Sequence, residues 1–144
     1  MANNSKNFDP IALSQKAVEL ARNLNVELSF KESDIPVLSA ILDETHRKYF
    51  EEGLNDDTAW GLAVVYGAYL GETMLRNGMA EKGFRWSDDG KAMLINDDEV
   101  ALAPIRKTYK HIAFGTEEHI GPMYKLGMAV ARGDFDLDTM TGKL

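Results

Sequence analysis

Apolar positions recur along most of this chain every three to four residues, and polar residues between them mark where helices start and stop. Asp9-Pro10 reads as an N-cap and first helical residue, since a carboxylate accepts a free backbone N–H and proline has none to leave unpaired. Ile11, Leu13, Ala17, Leu20, Ala21 and Leu24 then predict a first helix over about 10–24. After the mixed stretch 25–32, Ser33 or Asp34 is expected to cap a second helix. Its apolar stripe is Ile35, Leu38, Ile41, Leu42, Thr45 and Tyr49, and Gly53 ends it. Asn55-Asp56-Asp57-Thr58 supplies the next cap, with acidic groups where the helix dipole favours them. This third helix is expected to reach Asn77-Gly78. Residues 61–70 carry no charge, so most of its circumference should be covered, which makes it the central helix.

Past Gly83 the period shortens. Phe84-Arg85-Trp86 alternates, Ser87-Asp88-Asp89-Gly90 is a turn signal, and Lys91–Ile95 and Val100–Leu102 read as further short strands. Pro104 opens a fourth helix with Ile105, Tyr109, Ile112 and Ala113 inward. Thr116 is expected to cap a fifth, kinked or delayed by Gly121-Pro122, that reaches Arg132-Gly133. The predicted fold is therefore α+β and mostly helical, with about five helices and a two- to three-stranded antiparallel meander between the third and fourth. One globular domain over 9–133 is expected, between a disordered start at 1–8 and a frayed tail at 134–144.

Composition narrows the chemistry. The 144 residues, 44% hydrophobic and 27% charged, are those of an ordinary domain able to bury its own core. The absence of cysteine removes disulfides, thiolate metal sites and cysteine nucleophiles together. No apolar run approaches a membrane span, and the polar N-terminus lacks a signal-peptide core, so the expected location is cytoplasmic. The net charge of −7 disfavours general nucleic-acid binding. It is unevenly spread: residues 26–100 hold 16 acidic and 7 basic residues, whereas 101–132 hold 2 acidic and 5 basic.

Ala63, Gly67 and Gly71 share one face of the central helix, and glycines inside a helix imply close packing or room for a ligand. Glu72 at the edge of the uncharged stretch must be exposed, paired or protonated. An i, i+4 pair with Arg76 is the structural reading, and a general base or ligand contact is the functional one. Trp60, Tyr66, Tyr69 and Trp86 serve either as core or as a pocket wall. The specific expectation is a small cavity between central helix and meander lined by Tyr69, Glu72 and Trp86. Arg106, Lys107, Lys110 and His111 form a basic patch on the outer face of the fourth helix, a candidate anion or nucleic-acid contact. His46, His111 and His119 lie on separate elements without metal-ligand spacing, and no nucleophile elbow or phosphate loop is present. No metal or cofactor is therefore expected.

Gly67-Ala68-Tyr69-Leu70-Gly71-Glu72, a tryptophan-bearing hairpin at Trp86 and the basic helix opened by Pro104-Ile105-Arg106-Lys107 resemble a group of small bacterial proteins of uncharacterised function. The likeness covers about 59–124, with a longer segment at 77–83. It implies a bacterial origin and a helix-plus-meander domain, with Gly67, Gly71, Glu72, Trp86 and Pro104 as pattern positions. It implies no activity.

Three functions are left in contention. One is a non-enzymatic binding or regulatory module whose acidic stretch engages a basic protein, as acidic immunity-type proteins do. The second is a small-molecule binder or acid–base enzyme pairing Glu72 with His111 or His46. The third is anion or nucleic-acid binding through helix 104–114. A homodimer through an apolar face of the first helix is a further expectation.

Overall fold

The computed structural model describes residues 8–133. Among these, five α-helices and three short strands follow one another in the predicted order. The helices are α1 (Pro10–Asn23), α2 (Ile35–Glu51), α3 (Asp56–Met74), α4 (Pro104–Phe114) and α5 (Ile120–Arg132). Strands β1 (Arg85–Trp86), β2 (Leu94–Ile95) and β3 (Ala101–Leu102) form an antiparallel meander between α3 and α4. The fold is the mostly helical α+β arrangement that the periodicity predicts. No described helix is long and apolar enough to cross a membrane. The disordered start expected at 1–8, Phe8 apart, and the frayed tail at 134–144 lie outside the described residues.

Helix α3 is the hub. Its second half, Tyr66 to Met74, is buried without a break, with α4 packed on one side and α1 on another. Gly67 and Gly71 are there because neighbours come too close for a side chain. A methyl at residue 67 would lie 2.6 Å from the Ile105 Cα, and one at residue 71 would overlap the Trp86 indole and press on Pro104. Helix α4 runs antiparallel to α3: Pro104 adjoins Gly71, and Tyr109 donates to Asp56 at the start of α3.

Two boundaries differ from expectation, each for a local reason. Neither Ser33 nor Asp34 caps α2 with its side chain, because a 3₁₀ turn at Glu32–Asp34 leads into the helix. The Asp34 carboxylate instead accepts from the Ser29 and Lys31 N–H groups at 2.7 and 3.1 Å and from the Tyr69 hydroxyl. Helix α3 passes at Leu75 into a π-type turn, and its backbone leaves helical geometry at Asn77 and Gly78, where the sequence predicts the stop. There the Asn77 side-chain amide donates to the Thr73 carbonyl at 2.7 Å and to the Phe30 carbonyl at 3.0 Å. Helix α5 starts at Ile120, after a 3₁₀ turn at Gly115–Glu118, so that Pro122 falls in its first turn, where a missing N–H costs nothing.

Candidate functional site

Glu72 and Trp86 come together, and Tyr69 does not join them. Trp86 Nε1 donates to Glu72 Oε2 at 2.9 Å, and Arg76 Nε lies 3.7 Å from Oε1. The buried carboxylate therefore has its structural partners, the expected Arg76 and a nearer tryptophan. Tyr69 faces a different neighbour: its hydroxyl accepts from the Phe30 N–H at 2.9 Å and donates to Asp34. Burial pushes the Tyr69 hydroxyl up to about 12, and the adjacent Asp34 charge adds to that. The expected cavity lined jointly by Tyr69, Glu72 and Trp86 is thus corrected to a packed Glu72–Trp86 contact, with the indole seated on Gly71.

The basic patch on α4 is also smaller than expected. His111 is fully buried, because the face of α4 that carries it packs against α2 and α5. Lys107 pairs with Glu118 at 2.9 Å. Arg106 and Lys110 remain exposed.

The three histidines, scattered in sequence, converge where α2, α4 and α5 meet. His111 Nδ1 accepts from the Ile120 N–H at 3.3 Å, so Nε2 carries the proton that is shared with Asp43 Oδ1 at 2.7 Å. His119 Nδ1 accepts from the Gly121 N–H at 3.0 Å, and its Nε2 faces Ser39 Oγ at 2.5 Å. Two successive orphan donors at the start of α5 are thereby satisfied by imidazole nitrogens, and the third residue is Pro122, which has none. His46 Nδ1 donates to the Ile112 carbonyl at 2.7 Å. The partners on α2, Ser39, Asp43 and His46, follow at helical spacing along one face.

This arrangement determines the chemistry. Serine activation needs an unprotonated imidazole nitrogen facing the hydroxyl. His119 uses its lone pair on Gly121 and turns Nε2–H toward Ser39, so the serine proton has no acceptor there. Burial holds His111 below the ordinary histidine range against the opposing pull of Asp43, and the neighbouring His119 and His46 add to the lowering. Glu72 and His111 have different partners: Glu72 accepts from Trp86 and pairs with Arg76, and His111 is bonded to Asp43 and Ile120. Gly71, the residue before Glu72, adjoins Pro104, and His111 lies seven residues further along α4, about 10 Å at 1.5 Å per residue. No group of three or more metal-ligating side chains forms among the described residues.

Two clefts flank this framework. One, of about 1000 Å³ between α2 and α5, has an apolar floor that includes Ile35, Pro36 and Met128, with Asp43, His119 and Lys125 on its walls. The other, of about 550 Å³, lies between α1, α3, the start of α4 and the β1–β2 turn. Neither cleft was visible in the sequence, because each draws on separate elements. Comparison with protein families, curated proteins and solved structures returns no match.

Proposed function

We propose that this protein is a non-catalytic binding module that recognises a protein partner through a face combining exposed aromatic rings with carboxylates. The observation that carries the reading is the pair Phe50 and Phe114, 77% and 61% exposed. They stand at the C-terminal ends of α2 and α4, helices tied together by the His46 bond to Ile112. Large aromatic side chains held in water on rigid elements are the usual anchors of protein interfaces. Glu44, Glu51 and Glu52 surround Phe50 in sequence and all converge on one guanidinium, Arg47, which leaves a surplus of negative charge. A partner with apolar side chains flanked by lysine or arginine is the matching chemistry. The engagement of Glu72, His111 and His119 in fixed hydrogen bonds supports binding over catalysis.

The test is co-purification from the native host with wild-type bait and with a Phe50→Ser/Phe114→Ser variant whose melting temperature is unchanged. The reading requires a partner that is retained by wild type, lost from the variant and weakened by salt. Equal retention by both baits, or no partner in repeated captures, overturns it.

A further inference from the structure

We infer that the 550 Å³ cleft at the start of α4 is a binding site for a small organic anion, a carboxylate or phosphate carried on an apolar body. This site is separate from the protein-binding face and does not depend on it.

The volume lies within the range of small-molecule sites. Its lining divides cleanly: Leu13, Val64, Met93 and Ile105 are apolar, and Trp60 adds a half-exposed ring. Among the described residues the charged ones lining it are Arg106 and Lys91, both cations, and none is a carboxylate, in a chain of net charge −7. Arg106 has no ion-pair partner among the described residues. Asp89 on the adjoining turn accepts the Lys91 backbone N–H and lies within electrostatic reach of its ammonium.

The position of Arg106 strengthens the inference. It occupies the first turn of α4, where the positive end of the helix dipole disfavours a cation. That turn also has no acidic residue and no side-chain cap. The fold therefore assembles like partial charges around one end of the cleft, and an anion there would relieve both the uncompensated guanidinium and the helix end. Aromatic and aliphatic walls behind it would cover an apolar body, so inorganic phosphate alone should gain little.

The probes are octanoate and 4-phenylbutyrate, their uncharged alcohols, and inorganic phosphate. Binding to the full chain is measured by calorimetry, with amide chemical shifts to locate it. Saturable binding of the two carboxylates is expected, with shifts centred on Lys91–Met93 and Ala103–Arg106. Arg106→Ala should weaken affinity about tenfold, as should replacing carboxylate by alcohol, and Arg106→Lys should recover part of the loss. Arg106 is exposed, so these variants should keep the wild-type melting temperature. The inference is overturned by no saturable carboxylate binding at millimolar concentration, by equal affinity of Arg106→Ala, by phosphate binding as tightly as octanoate, or by shifts confined to other elements.

Discussion

Two glycines of one helix should respond to the same substitution with opposite signs. Gly61 and Gly67 both lie inside α3, so replacing either by alanine gains the same intrinsic helix propensity, about 1 kcal/mol. Around residue 61 a new methyl meets nothing within 4 Å, whereas at residue 67 it would stand 2.6 Å from the Ile105 Cα and 2.8 Å from Cγ1. The first neighbour is backbone at the start of α4, which Pro104 and the meander hold in place, so relief requires α4 to move. Overpacking of this kind costs about 1–3 kcal/mol and sometimes more, enough to cancel the propensity gain and reverse it. For a chain of this length Gly61→Ala should raise the melting temperature by about 2–4 °C, while Gly67→Ala should lower it by a similar amount or more. Differential scanning calorimetry on the pair separates packing from propensity. If Gly67→Ala stabilises the protein as Gly61→Ala does, the close approach of α4 to α3 is wrong, and with it the placement of both α4 ends.

Two further outcomes test the fixed roles assigned to Glu72 and His111. Glu72→Ala strands the half-buried Trp86 N–H and should cost about 1–3 kcal/mol by denaturant unfolding. Glu72→Gln keeps an acceptor and should cost clearly less; an equal cost would show that the charge matters more than the hydrogen bond. His111 is held below its ordinary pKa chiefly by burial, so the folded state binds fewer protons there than the unfolded chain does. Its stabilising contribution is therefore complete above the unfolded pKa, about 6.5, and is lost as pH falls toward the folded value. The slope of stability against pH between about 7 and 5 should be shallower in His111→Gln; an unchanged slope would refute the assignment.

The helices were legible because each carries local instructions. Asp9 before Pro10, and Asn55 before two aspartates, act where the sequence puts them: Asp9 Oδ1 accepts from Ala12 at 3.0 Å and Asn55 Oδ1 from Asp57 at 2.7 Å. The charge-free run of α3 pointed to burial, which holds from Tyr66 onward though not at Gly61, and the spacing of Gly67 and Gly71 announced close packing. The boundaries that moved did so through contacts that spacing does not encode. Asp34 is drawn from α2 to the N–H groups of a preceding loop and to Tyr69 on α3.

The candidate site was harder to read, and the histidines show why. Taken singly, His46, His111 and His119 have no ligand spacing, and their meeting depends on how α2 packs against the junction of α4 and α5. One half of that junction was nonetheless written in local sequence: Ser39, Asp43 and His46 at offsets of four and three place three polar groups on one face of an otherwise apolar-striped helix. Such a stripe must face water or find partners, and Gly121-Pro122 needed outside acceptors for the helix start just before it. Joining the two needs identifies the junction as the place where polar groups of α2 and the start of α5 satisfy one another. Arg106 stands apart from both: its neighbour Lys107 is paired and His111 is buried, while Arg106, lining the smaller cleft at the uncapped start of α4, has no ion-pair partner among the described residues.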